Sequence, residues 1–154
     1  MKDRPAIVIP PPLLALACIG AGFTAGHYKP LPFLLVAPSI RIAISIVLFA
    51  VAVGIIFVSR RELIRHKEHP NPYRVTNAIV SSGIYARTRN PIYIAFLIVV
   101  LATAVAADNG WLLISVVLLL LLLRFVTIRA EERYLSSKFG AEYEEYRRRV
   151  RRWV

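Results

Sequence analysis

Cysteine is almost missing from this chain. The single one, Cys18, sits inside an apolar run, which excludes a disulfide framework and a multi-cysteine metal site. Histidine is scarce as well. His66 and His69 lie beside Glu68 in a basic stretch, but three such residues without a further partner make a poor metal site. No P-loop, nucleophile elbow or zinc-protease signature occurs. The glycine pattern from Gly20 through Gly22 to Gly26 follows no strand, and its spacing is that of close helix packing in a membrane rather than of dinucleotide binding. Acidic residues number nine against twenty Lys and Arg, a formal charge of +11. That excess does not point to nucleic acid, because the basic residues flank apolar runs long enough to cross a bilayer.

Apolar residues are what the chain has in abundance. They make up 57% of its 154 residues, and the mean hydropathy of +0.58 exceeds that of an ordinary soluble domain. A helix needs about 20 apolar residues to span the hydrocarbon. Four segments approach that length, 11–26, 40–58, 91–107 and 111–128. The expected fold is therefore all-α: one polytopic integral membrane domain over 1–154, with four transmembrane helices and a short amphipathic helix at the C-terminus. Pro10-Pro11-Pro12 opens the first segment, where proline is tolerated because first-turn amides have no intrahelical partner. Lys2 and Arg4 before this run also fit a signal peptide, with Ala15-Leu16-Ala17-Cys18 in the place of a lipoprotein cleavage site. The three further spans favour an uncleaved first helix.

Charge orients the bundle. Lys2 and Arg4, seven basic residues from Arg60 to Arg89, and eight from Arg129 onward alternate with outer connections that carry only Lys29. The positive-inside rule then makes both termini and the 59–90 loop cytoplasmic. Asp108-Asn109-Gly110 reads as a tight turn, and the three prolines of 27–38 give an irregular connection. The 59–90 loop is longer than a bundle turn needs, which marks it as functional or disordered. Within 129–154, Gly140 is placed to end one helix. The next helix carries Tyr143, Tyr146, Val150 and Trp153 on one stripe, to lie on the membrane surface or pack against the bundle.

Two stretches can carry chemistry. In the first, from Ser82 to Tyr93, Gly83 permits a turn, Asn90 can cap a helix and Pro91 suits its first position. The helix N-terminus beside Arg87 and Arg89 then suits an anionic group; a capped helix with snorkelling arginines and an interfacial tyrosine belt explains the same residues. In the second, from Arg124 to Leu135, an arginine near the membrane interior must face the bundle or snorkel. Glu131 comes seven residues later, so the two can line one inward polar track. Glu131 and Glu132 are otherwise ordinary solvated charges at a helix exit. Adjacent carboxylates face differently on a helix, which leaves one for a ligand and the other for the fold.

At these stretches the chain resembles the isoprenylcysteine carboxyl methyltransferase family and the related phospholipid N-methyltransferases. The likeness rests on Arg89-Asn90-Pro91-Ile92-Tyr93, on Glu131-Glu132 closing the next helix, and on the tail from Phe139-Gly140 through Tyr143 and Tyr146 to Val150 and Trp153. It covers about residues 70–154. It implies a membrane enzyme using S-adenosylmethionine, with Tyr85, Arg89, Asn90, Pro91, Tyr93, Glu131 and Glu132 at the cofactor. Asn90 stands where several family members have histidine, which removes a titratable group. The implied acceptor is a lipid-like or prenylated molecule reached from the membrane lipids. A carboxylate acceptor needs cationic orientation, for which Arg124, Arg129 or an arginine of the tail is available; an amine must lose a proton, for which Glu131, Glu132 or a tyrosine is the candidate base. Two other readings are an NADPH-dependent membrane reductase, since sterol reductases resemble this fold, and a non-enzymatic scaffold whose basic loop and tail bind anionic lipid.

Overall fold

A computed structural model describes residues 9–69 and 75–153; Lys2, Arg4 and Arg74 lie outside them. The regular structure of the described residues is all helical, without strands. Helix α1 spans Pro11–Tyr28, α2 Pro38–Arg65, α3 Pro91–Ala107 and α4 Gly110–Leu122. From Leu123 to Ile128 the chain continues as a π-helix, then as α5 over Arg129–Phe139 and, after Gly140, α6 over Ala141–Arg149. Three helices begin on proline, Pro11, Pro38 and Pro91, where the ring is pre-set for the first turn and no amide is lost.

The helices run up and down. Helices α2 and α3 pack as one pair and α1 and α4 as another, with α3 also touching α1 and α4. Small residues let the axes approach: Ala52 on α2 and Ala95, Ala102 and Ala104 on α3 are buried, and the Ser45 hydroxyl donates to the Ala102 carbonyl at 2.8 Å. A Cβ on Gly22 would strike the Leu112 side chain, and one on Gly26 the Asn109 side chain. The small-residue face of α1 is thus a packing face, as its spacing suggests. Between the helices, Leu14, Cys18, Val100, Leu119 and Leu123 form the apolar core.

Helix α2 and the continuous Gly110–Phe139 helix are each long and apolar enough to cross a membrane. In α2 only 11% of the most apolar window is buried, and Ile42, Ile46, Val47, Phe49, Val53 and Phe57 all point outward. A helix apolar on every side needs an apolar surrounding. Helix α2 also runs to Arg65, beyond the apolar limit expected at 58, which shortens the loop expected over 59–90. Charge ends the hydropathic signal but not the helix, because Arg, Glu, Leu and Ile are tolerated in a continuing turn.

One end of the bundle is tied by a carboxylate. Asp108 adopts a left-handed conformation with φ 48° and closes α3. Its Oδ1 accepts the amides of Phe33 and Leu34, both at 2.9 Å, and its Oδ2 pairs with Arg41 at 2.6 Å. Asn109 then caps α4, accepting from the Trp111 amide at 3.0 Å, while the Trp111 indole donates to the Lys29 carbonyl at 2.7 Å. The irregular 29–37 connection is in this way pinned to the tight turn. The two backbone amides and Arg41 hold the Asp108 carboxyl below its ordinary range against the opposing effect of desolvation. Since its folded pKa is lowered, its stabilisation is present above the unfolded value near about 4 and lost as pH falls through the folded one. Thermal unfolding in detergent should show the midpoint falling below about pH 4, and Asp108→Asn should flatten that fall while lowering the neutral-pH midpoint. An unchanged acid profile in the variant would contradict the assignment.

Candidate functional site

At the other end, the connection before α3 is built around Gly83. Its φ of +57° is left-handed, which favours glycine, and a Cβ there would push against the Glu62 carboxylate. Ser82 donates to Glu62 at 2.6 Å, fastening this turn to the end of α2. The short 3-10 segment Gly83–Ala86 then presents Tyr85, whose backbone carbonyl accepts from the Tyr146 hydroxyl at 2.8 Å. Helix α6 is held by that bond and by packing of Tyr143, Tyr146 and Val150 against Ile79, Leu135 and Phe139. The aromatic stripe of the tail therefore packs against the bundle. Gly140, at φ 53° and ψ −121°, makes the α5–α6 corner, a conformation open essentially to glycine alone.

Asn90 occupies the N-cap position of α3, but its side chain makes no cap, contrary to expectation. Its Nδ2 instead donates to the Arg152 carbonyl at 2.9 Å, where the Thr88 hydroxyl also donates at 3.1 Å. The Arg89 amide reaches the Arg151 carbonyl at 3.0 Å. The last residues thus strap the start of α3. The Tyr93 and Ile94 amides both return to the Asn90 carbonyl at 3.1 Å, and Pro91 has no N–H, so this helix end offers an anion fewer donors than the sequence suggests.

Side chains complete the strap. Glu132 receives Arg89 Nη1 at 2.9 Å on Oε1 and Arg152 in a two-pronged contact, Nε to Oε1 at 3.0 Å and Nη2 to Oε2 at 2.7 Å. Arg89 Nη1 also reaches the Tyr143 hydroxyl at 3.2 Å, while its Nε is buried with no hydrogen-bond partner. Glu131 accepts from the Tyr93 hydroxyl at 2.8 Å. Burial pushes the Glu131 carboxyl, which lies beyond the apolar part of its helix, up to about 7, with Tyr93 opposing that rise and Glu132 adding to it by repulsion. Burial likewise raises the phenols of Tyr85, Tyr143 and Tyr146.

A cavity of about 250 Å³ gathers these groups. Tyr85, Arg89, Asn90, Pro91, Tyr93, Glu131 and Glu132, from separate stretches of the chain, all line it. Apolar side chains of Leu63, Ile92 and Phe96, with Pro11 and Pro12, form another part of the wall. Arg124 and Arg129 do not line it. Both are exposed and lie over the Phe125 ring, at 5.6 and 4.7 Å from its centroid. The inward track expected from Arg124 to Glu131 is broken by the π-helix, because its wider turn rotates the residues after it. Arg87 is exposed too. Two groups of the site escape sequence reasoning. Arg152 is one of several tail arginines with nothing local to distinguish it, and Glu68 stands out only as part of a weak metal-like cluster, although it lines the cavity.

Comparison with known proteins agrees in region. The phospholipid methyltransferase family model matches residues 40–142. A protein-S-isoprenylcysteine O-methyltransferase of Schizosaccharomyces pombe is 39% identical over 88 residues, 56% of this chain and 33% of that protein. Methanethiol S-methyltransferase 1 of Bradyrhizobium diazoefficiens is 29% identical over 119 residues, 71% of this chain and 41% of that protein. An uncharacterized protein of Haemophilus influenzae is 37% identical over 62 residues, 40% of this chain and 98% of that one. The chain thus spans less than half the length of these two methyltransferases. No solved structure gives a significant match.

The strap makes a stability prediction. Arg152→Ala leaves Glu132 with one cation in a mostly desolvated place and should cost about 2 kcal/mol in detergent unfolding. Arg149→Ala, from an exposed pair with Glu145, should stay within about 0.5 kcal/mol. Equal effects would mean that the Arg152 contact is not made.

Proposed function

The chain belongs to the phospholipid methyltransferase family, and we propose that it is an integral membrane methyltransferase using S-adenosylmethionine, most like those that methylate the carboxyl group of an isoprenylcysteine. The observation that carries this reading is the convergence of Tyr85, Arg89, Asn90, Pro91, Tyr93, Glu131 and Glu132 on one cavity. Helices α1 to α4 each cross the bilayer, with the cavity and both termini cytoplasmic and the Asp108 turn outside. The alternation of basic connections with one carrying only Lys29 supports that orientation. Neither the reductase nor the scaffold reading gains support from the relatives.

The residues present fit the cofactor. The partnerless Nε of Arg89 is a buried donor suited to the carboxylate of its amino-acid part, and Glu131 suits its ammonium. When bound, S-adenosylmethionine supplies an electrophilic methyl group on a sulfonium sulfur. The surrounding phenol rings exclude water and favour a cation over their faces. Glu132, already bracketed by Arg89 and Arg152, fixes Arg89 rather than meeting ligand. Leu63, Ile92, Phe96, Pro11 and Pro12 offer an apolar wall to the hydrocarbon part of an acceptor, and catalysis comes mainly from holding donor and acceptor in line.

One observation favours a second acceptor class. With Arg124 and Arg129 outside the cavity, no uncommitted arginine of that helix orients a carboxylate, whereas a carboxyl pushed up to about 7 is matched to taking a proton at neutral pH. Glu131 would then serve, in place of the cofactor's ammonium, an acceptor that must lose a proton, such as a phospholipid amine.

Calorimetry with S-adenosylmethionine and its demethylated product S-adenosylhomocysteine tests the common reading. Glu131→Gln and Arg89→Ala should weaken binding about tenfold or more, and Arg148→Ala, on the exposed face of α6, should not. Lack of binding by the folded wild type would sink the methyltransferase reading. Binding an ammonium against Glu131 keeps that carboxyl ionised, so S-adenosylhomocysteine should release up to about one proton at about pH 6 to 7. The release, read from buffers of different ionisation enthalpy, should vanish in Glu131→Gln.

A further inference from the structure

The cavity holds a carboxylate that the proposed chemistry leaves unused. Glu68 is 7% exposed and lines the cavity wall. Its position is set by the way α2 ends. The Glu68 amide reaches back to the Leu63 carbonyl at 2.9 Å, and Lys67 between them is left-handed at φ 57°. This is the Schellman termination, with lysine where glycine is usual. A long side chain held in that conformation stores strain that the surroundings must over-determine.

The carboxylate then organises the chain opposite. Its Oε1 accepts the amides of Asn77 and Ala78, both at 2.8 Å. Among the described residues Oε2 receives no hydrogen bond, and Glu68 is one of the residues that line the cavity. Among the described residues no ion pair involves Glu68 either. Glu132 is saturated by two arginines and Glu131 is joined to Tyr93; Glu68 has one oxygen that no hydrogen bond from a described residue reaches. A buried carboxylate without a cation is costly unless donors reach it.

We propose that Glu68 binds the ribose hydroxyls of the nucleoside half of the cofactor. This rests on the S-adenosylmethionine reading. With Arg89 and Glu131 suited to the carboxylate and ammonium of the amino-acid half, the polar parts of the ligand left are the ribose diol and the adenine edge. A carboxylate oxygen suits the diol, whose two adjacent hydroxyls both donate, better than adenine, whose ring nitrogens would repel it. Glu68 serves two ends at once: Oε1 fixes the 77–78 backbone as part of the wall, and Oε2 reads the sugar.

Calorimetry with S-adenosylhomocysteine and its 2′-deoxy and 3′-deoxy analogues, at one pH, separates the outcomes. Glu68→Gln retains a carbonyl oxygen for the two amides but replaces the free acceptor by a donor. Wild type should bind the parent compound about tenfold or more tightly than at least one deoxy analogue. Glu68→Gln should lose that factor for the parent while binding the deoxy analogue nearly as wild type does. 5′-Methylthioadenosine, which lacks the amino-acid half, should be weakened by the same factor. Equal weakening of parent and deoxy compounds, or full discrimination kept in the variant, would overturn the Glu68 assignment while leaving the methyltransferase reading intact. Failure of wild type to bind any of the nucleosides would remove both.

Discussion

The structure depends on how Glu132 is held. One carboxylate on α5 takes Arg89 from the connection before α3 and Arg152 from the C-terminal segment. Three pieces of chain distant in sequence meet at one group. The backbone goes with the side chains: Arg152 reaches Glu132 while its own carbonyl receives Asn90 and Thr88. The start of α3 and Arg152 cannot separate without leaving a mostly buried carboxylate short of a cation, and that penalty fixes the cavity wall.

The opposite end uses the same device. Asp108 collects two backbone amides and Arg41, closing the bundle where the chain turns between apolar helices. The middle is held chiefly by the small-residue contacts of α2 with α3 and of α1 with α4. With the bundle placed across a membrane as proposed, this division follows from the solvent. In hydrocarbon, apolar side chains gain little by leaving lipid for one another, so close backbone approach does the packing there. At the ends, where water competes for every polar group, charge-assisted hydrogen bonds in partly buried places are the stronger fastening.

The same division governs how much the sequence discloses. The apolar runs mark the four long helices, since their signal is local and additive, and Asp108 and Gly140 mark two of their corners because few residues tolerate those conformations. The convergence of Tyr85, Arg89 and the two glutamates was suggested by resemblance and not by any local pattern. Three features have no local sign. Helix α2 outlasts its hydropathy because arginine and glutamate continue a helix as well as leucine does. Asn90 abandons its cap for the Arg152 carbonyl, a partner 62 positions away. The π-helix at Leu123–Ile128 lies in a stretch whose apolar pattern suits an ordinary α-helix equally well, and it leaves the Thr127 hydroxyl buried and partnerless.

That π-helix nevertheless decides what the two glutamates can do. In an uninterrupted α-helix Glu131 would share a face with Arg124, and an adjacent cation would keep its carboxyl ionised. The wide turn sends Arg124 out to the Phe125 ring and leaves Glu131 facing Tyr93, a neutral donor, with Glu132 as the charge that acts on it. Its neighbour one position on, swung toward Arg89 and Arg152, meets two cations. Two identical side chains, adjacent in sequence, are thereby given different surroundings: one is bracketed by two arginines and organises the wall, while burial pushes the carboxyl of the other up to about 7. An environment that separates like groups in this way is what a site needs when the same helix turn must both hold a ligand and hold itself together.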